Sequence, residues 1–569
     1  MTLEKSIQIA RGEKSADLLI THARLVNVFN GDIETRDIAV ADGNIVGFGA
    51  YDAKEIIDAG GMYVAPGFID PHVHIESAMV SVTEFARAVL PFGTTTVVAD
   101  PHEIANVLGQ KGIDYMLASG KKQPMNIYFT LPSCVPATRM ETSGAELTAA
   151  DLLPYLPHER IVALAEMMNF PGVICGDSQV LAKIEHTQKS GKRIDGHAPG
   201  VSGKELYAYL SAGISSDHEC TTAAEALEKL AAGMHIMVRE GTCARNLQAL
   251  LPVINQQTCR RMMWCTDDRH PHDLLQEGHI DSIVRAAIKA GIDPVSAIQM
   301  ATIHPASYYG LRHQGAVAPG RLADLVFFAD IRHPVVEKVF CRGRLVAENG
   351  TMVSGVDRPA FVDVPASMNP AAGGIDFSIP AESEEIRVID IVPDQVMTRQ
   401  SIEPAKILDG RVVSDPQRDL LKLAVVERHH GTGNVGLAFA RGFGLKQGAL
   451  ASSVAHDSHN IIGVGVDDAD MDAACRAVVQ MGGGLAVVKA GEVLARVPLP
   501  IAGLMSPEPL VKVKEQLDSV IQAARDLGAV LKDPFMTLSF LALPVIPDLK
   551  LTDLGLVDVS AFKFVSLFV

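Results

Sequence analysis

The sequence predicts an α/β chain centred on a (β/α)8 barrel, with a split flanking β-domain and an additional C-terminal α/β domain. Three observations predict it. Short apolar runs alternate with helical stretches eight times between residues 66 and 314, the count and length of such a barrel. β-rich patches flank that segment, at 1–65 and 315–365, and read as one composite domain. A Pro/Ala/Gly-rich link, VPASMNPAAGG, then separates a third region at 380–569.

The elements follow in order. DLLITHARLVNVF, DIAVADGNIVGFG and KEIIDAGGMYVAP alternate apolar and polar residues around Asp-Gly and Asn-Gly turns, as hairpin strands do. GAVAPGRLADLVFFADIRHPVVEKVFCRGRLVAENG repeats that texture beyond the barrel. The barrel strands are APGFIDPHVH, TTTVVADPH, NIYFTLP, RIVALAE, RIDGH, GISSDHE, HIMVRE and RMMWCTDD. Helical stretches such as VTEFARAVLPFG, EIANVLGQKGIDYMLASG, AAEALEKLAAG and DSIVRAAIKAG fall between them, many ending in Gly, a common helix stop. No glycine-rich phosphate turn follows a strand, which argues against a doubly wound open sheet. The last region mixes strands (LLKLAVVER, GLAVVKAGEVLARVPLP) with helices (DADMDAACRAVVQM, PLVKVKEQLDSVIQAARDLG).

Bulk properties exclude several roles. A net charge of −17 disfavours nucleic acid and anionic membrane as partners, because both need a basic face. No apolar run approaches the roughly 20 residues that span a bilayer. The N-terminus shows no apolar signal core, and the eight cysteines are scattered without a C-x-x-C. A cytoplasmic protein with reduced thiols is the expectation.

The strand ends carry the chemistry, as barrel enzymes place it. The first strand ends in His72 and His74, the second in Asp100, His102 and Glu103, the fourth in Glu166, the fifth in His197. The sixth ends in His218 and Glu219, the eighth in Asp267 and Asp268. Histidines at i and i+2 of a strand share a face, so both can meet one ion. Imidazoles and carboxylates without thiolates suit Zn, Fe, Mn or Co. Each residue alone has an ordinary reading, as a satisfied core histidine or a helix cap. The set exceeds one tetrahedral ion and points to two ions with a bridging carboxylate, making this a metallo-barrel.

An Asp-x-His-x-His strand, a strand-four bridging residue, His after strands five and six and Asp after strand eight resemble the amidohydrolase superfamily. APGRLADLV (318–326) and ATIHPASYYGL (301–311) fit it too. The stretches PGFIDPHVHIESAM, VVADPHEIANV, AEMMNFPGV, GHAPG, SSDHE and CTDDR, with ERHHGTGNVGLAFARGFGLKQGALASSVAHDSHNI in the tail, are similar to the bacterial adenine deaminase family. The resemblance implies His72, His74 and Asp267 on an inner ion, His197 and His218 on an outer one, and Glu166 between. Many superfamily members bridge with a carboxylated lysine, and RIVALAEMMN has none, which leaves Glu166 and weighs against a ring-amide hydrolase.

The resemblance implies a metal-dependent deamination of a purine base, adenine to hypoxanthine and ammonia, in purine salvage. Metal-bound hydroxide would attack C6, and Asp267 would carry the water proton to the leaving nitrogen. Glu103 is the candidate for protonating ring N1, with Asp100 as its partner; the competing reading makes Asp100 the cap of the following helix. Two divalent ions per chain, Mn, Fe or Zn, are expected. So is a homo-oligomer, such as a dimer. A hydantoinase- or dihydroorotase-like cyclic-amide hydrolase is the rival, and a non-catalytic metal-binding barrel a weaker one, since no expected ligand or base is missing. His270 and His272 follow the eighth strand and read as solvated loop residues, with the mouth of the site as the alternative. His429, His430, His456 and His459 form two polar groups in the tail. They are turn residues or, as a lid or substrate contact, part of the active site.

Overall fold

The computed structural model describes residues 2–393 and 395–569. The eight expected barrel strands form: Phe68–His74, Thr94–Ala99, Asn126–Leu131, Ile161–Met167, Arg193–Gly196, Ser216–Asp217, His235–Arg239 and Met262–Cys265, the last continued by Asp267–Asp268. All pairings between them are parallel. The ring closes where Asp267 and Asp268 pair with Val73 and His74. Between the fifth and sixth strands the ladder thins to a bond from Ser215 N to Ile194 O, 3.0 Å.

The first, second and eighth strands are buried along their whole length, which explains their continuous apolar runs: helices cover one face and the barrel interior the other. Each buried Val or Leu contributes about 1.5–3 kcal/mol. Trp264 is fully buried, and its indole N–H reaches Ala297 O at 2.9 Å, so its one polar atom is satisfied.

The stretch read as one helix after the second strand is two, His102–Leu108 and Gln110–Gly120. Gly109 separates them at φ +59, and a Cβ there would come within 2.9 Å of Ala145 Cβ. The irregular stretch near 145–156 contains a short α-helix, Ala149–Leu152, started by a reciprocal Thr148–Asp151 capping box and followed by a 3-10 turn, Leu153–Tyr155.

A nine-stranded sheet joins both flanks of the barrel: Tyr63–Pro66 runs antiparallel to Leu325–Phe328, and Ala16–Val26 and Lys338–Cys341 extend it on either side. The tail holds an eight-stranded sheet with Leu421–Val426 and Ile461–Gly465 near its centre. Alternate residues of those strands face opposite ways. Ala424 and Ile461 pack with the helix Asp468–Gln480, and Leu423 and Ile462 lie in the apolar core shared with the barrel and the helix Leu510–Asp526.

The VPASMNPAAGG link is anchored rather than loose. Arg428, fully buried, donates to Ser367 O at 2.9 Å, and Asn369 N donates back to Arg428 O at 2.8 Å. Its composition signals a break in regular structure, but buried carbonyls there need partners and find one guanidinium. The tail also docks beside the first barrel strand, where Ser81 N meets Ser506 O at 2.9 Å and Ser506 N meets Met79 O at 2.8 Å. Among the described residues no helix is long and apolar enough to cross a membrane.

Candidate metal centre

Glu166, at the end of the fourth strand, is the hub. Its Oε2 lies 2.8 Å from His197 Nδ1 and 3.2 Å from His218 Nε2. Its Oε1 lies 3.3 Å from His74 Nε2 and 4.0 Å from His72 Nε2. Asp267 Oδ1 approaches His74 Nε2 at 3.0 Å and His72 Nε2 at 3.5 Å. All six residues read from the strand ends as ligands therefore face one another, five of them buried and His197 partly open.

The fold makes this meeting local at each strand. His72 and His74 share a face by the two-residue period. Asp267 sits at φ +56, a left-handed conformation uncommon outside glycine, which breaks the eighth strand between Cys265 and Asp267 and turns the carboxylate to the histidines. His197 and His218 are steadied from behind. Asp217 Oδ1 accepts from Ala198 N at 2.9 Å, and the buried Lys229 ammonium binds Asp217 at 3.0 Å, Glu225 at 2.7 Å and Ala198 O at 2.6 Å. Asp70, the acid of the Asp-x-His-x-His motif, makes its side-chain contacts outside the six ligand side chains. It ties the first strand to the eighth through Thr266 and lies 3.3 Å from His279 Nε2.

The donor set fits divalent cations. His74 Nδ1 faces Asp100 O at 3.1 Å. A carbonyl only accepts, so Nδ1 carries the hydrogen and Nε2 keeps its lone pair for an ion. His72 Nε2 is buried without a hydrogen-bond partner. Groups of three or more ligating atoms overlap here, among them His72–His74–Asp267 and His72–Glu166–His218.

Charge is arranged to keep the carboxylates ionised. Burial acts to raise Glu166, but His197, His218 and His74 hold it well below the usual carboxylate range. Burial acts likewise on Asp267, where Arg239, His72 and His74 prevail and hold it low. Arg239 Nη1 lies 2.5 Å from Asp267 Oδ2, while Nη2 donates to Glu219 Oε2 at 2.9 Å. Arg239 was not singled out from the sequence. A lone arginine closing an apolar strand, HIMVRE, was the available signal. Glu219, which Arg239 and His197 bring down to about 2 against its burial, lies 3.3 Å from His218 Nε2. His102 joins the cluster 3.7 Å from Glu166 Oε1, and Asp100 Oδ2 sits 3.1 Å from its Nδ1.

Asp100 does not cap the helix that follows. That helix begins at His102 with no side-chain cap, and Ile104 N bonds Glu76 Oε1 at 3.3 Å instead. Glu103 is buried, and burial pushes its carboxyl well above the usual range, with Asp268 and Glu76 adding to the effect. His456 Nδ1 and His459 Nε2 of the tail lie 3.4 and 3.9 Å from it. His429 and His430 instead meet backbone carbonyls, of Ser458 at 2.7 Å and Ser143 at 3.0 Å. His272 is exposed as expected. His270, expected in solvent, is buried 3.8 Å from Asp533 because the tail covers that loop.

A parallel barrel with this cluster at the carboxyl ends of its strands is the architecture of the amidohydrolase superfamily, and the Amidohydrolase family model matches residues 63–346. A second model, Adenine deaminase C-terminal domain, matches residues 395–563. The chain is 54% identical over 566 residues to an adenine deaminase from Desulfatibacillum aliphaticivorans, covering 99% of each. It is 48% identical over 573 residues to one from Kosmotoga olearia, covering 100% of this chain and 99% of that one. The chain belongs to the adenine deaminase family.

Proposed function

We infer that this enzyme deaminates adenine to hypoxanthine and ammonia. The observation that carries the reading is the convergence of His72, His74, His197, His218 and Asp267 around Glu166, in a chain related along its whole length to adenine deaminases. Two divalent ions per chain, Mn, Fe or Zn, are proposed. His72, His74 and Asp267 would hold one, His197 and His218 the other, with Glu166 between. When bound, the ions supply Lewis acidity and lower the pKa of water towards neutrality.

The chain's own residues handle the protons. Asp267, held ionised by Arg239 and by His72 and His74, takes the proton of the attacking water and returns it to the departing nitrogen, which leaves as ammonia. Glu103, kept protonated by burial, gives a proton to ring N1, so that negative charge does not build on the purine as C6 is attacked. Opposite shifts on the two carboxyls suit these two roles. The cytoplasm is proposed as its compartment, in keeping with eight free cysteines, and purine salvage as its setting.

The test is ammonia release from adenine, with adenosine, guanine, cytosine and dihydroorotate alongside, by protein stripped of metal and refilled with Mn, Fe or Zn. Turnover of adenine that rises until two ions are bound per chain is expected. A fully loaded protein inactive on adenine would overturn the reading.

A further inference from the structure

The turn 453–460, between the tail strands Ala449–Ser452 and Ile461–Gly465, lies against the barrel's proposed proton donor. Among the described residues, the basic groups within 4 Å of the Glu103 carboxyl are His456 and His459, both from that turn. Glu103, His456 and His459 could be taken for a third metal site, since their donor atoms lie within 4.8 Å of one another. The hydrogen bonding of His459 argues otherwise. Its Nδ1 accepts from Ala455 N at 3.2 Å. An acceptor Nδ1 in a neutral imidazole places the hydrogen on Nε2, and burial holds this ring well on the neutral side. His459 therefore presents a donor where an ion would need a lone pair. This is the reverse of His74, whose Nδ1 faces a carbonyl.

That donor is buried, fully enclosed and without a hydrogen-bond partner. Leaving one unmade is costly, which marks it as poised for an acceptor. Glu103 Oε2, 3.9 Å away, is the acidic oxygen it faces. The backbone holds His459 in that pose: it sits at φ +55, its N donates to Ala455 O at 2.7 Å, and its carbonyl is bound by the buried Arg428. A non-glycine residue in this region persists only where its surroundings over-determine it. His456 completes the frame. Its ring stacks on Phe540 at 4.7 Å and sets Nδ1 3.4 Å from Glu103 Oε1.

We propose that His459 is a positioning residue for Glu103: in the working enzyme its Nε2–H closes the 3.9 Å gap to Oε2 and binds it, so the carboxyl carries its transferable proton on Oε1. The C-terminal unit would thereby complete a catalytic group that the barrel supplies. The inference rests on the role of Glu103 in adenine deamination proposed above.

The experiment uses the full-length, metal-loaded enzyme and compares His459→Ala, His459→Gln and His459→Leu, alone and with Glu103→Gln. Metal per chain, kcat and KM for adenine are measured for each. His459→Ala and His459→Leu are expected to lose about 10- to 100-fold in kcat, the effect of one hydrogen bond to an acidic group, with KM within about threefold and two ions still bound. His459→Gln, which restores an N–H donor of similar reach, should recover most of the loss. In the Glu103→Gln background, removing His459 should change kcat less than about twofold, because the two act as one unit. A His459→Ala enzyme with unchanged kcat, a glutamine no better than leucine, or equal losses with and without Glu103 would each overturn the proposal. If the alanine variant folds poorly, the Gln-versus-Leu comparison decides. A parent enzyme inactive on adenine would take down the deaminase reading itself; an active parent indifferent to His459 takes down this inference alone.

Discussion

At the scale of single residues, the Glu103 and Asp267 carboxyls are pushed in opposite directions by their surroundings. Burial and the nearby Asp268 and Glu76 charges keep the first protonated, while Arg239 and the histidines prevail over burial to keep the second charged. Glu103→Gln would remove the proposed transferable proton but keep shape and burial. It is expected to lower kcat by about 10²–10⁴-fold, with metal content unchanged by elemental analysis. Asp267→Asn should also abolish turnover but reduce bound metal, which separates a ligand from a pure proton carrier. The candidate ligands were legible in the sequence because His, Glu and Asp stood at successive strand ends, where chance rarely places them. Arg239 was not, because one arginine after an apolar run reads as a strand entering solvent. The partner that changes its meaning, Asp267, lies 28 residues further on.

At the scale of elements, the fifth and sixth strands pair least, and a buried charge network makes up for the thin ladder there. Lys229→Met would leave Asp217 buried without its cation. It should destabilise the protein by about 3–5 kcal/mol, read as a fall in the urea midpoint. The strand Leu549–Thr552 carries a different buried lysine. Burial brings the Lys550 ammonium down to about 7, and it donates to Val396 O at 2.8 Å and Phe540 O at 3.0 Å. An unfolded lysine titrates near 10.4, so between about pH 7 and 10 the unfolded chain binds more protons than the folded one. Stability should rise with pH across that window, and Lys550→Met should flatten the rise; urea midpoints at several pH values measure both. Helix and strand order could be read from apolar rhythm, since each element carries its own periodicity. The split at Gly109 could not: glycine is common at helix ends and tolerated inside them, and the close approach of Ala145 that settles it comes from a distant segment.

For the whole molecule, the barrel and the tail share one apolar core, running from Val26 to Leu556. A chain ending at residue 365 would bare that surface and lose His456 and His459. Such a truncate is expected to show no adenine turnover even where soluble and loaded with metal, by ammonia release and elemental analysis. The tail's place over the site was the least legible feature, because HDSHN reads as an ordinary polar turn until Glu103, more than 350 residues earlier, is folded against it. The barrel's seam has a consequence for synthesis. Asp267 pairs with Val73 across 194 residues of chain, about 10–40 s of translation at 5–20 residues per second. For that time His72 and His74 are on a growing chain that has no eighth strand to close on. Contacts this distant in sequence form slowly, so the ring, and with it the pocket for an ion, cannot close until nearly half of the 569-residue polypeptide has been made.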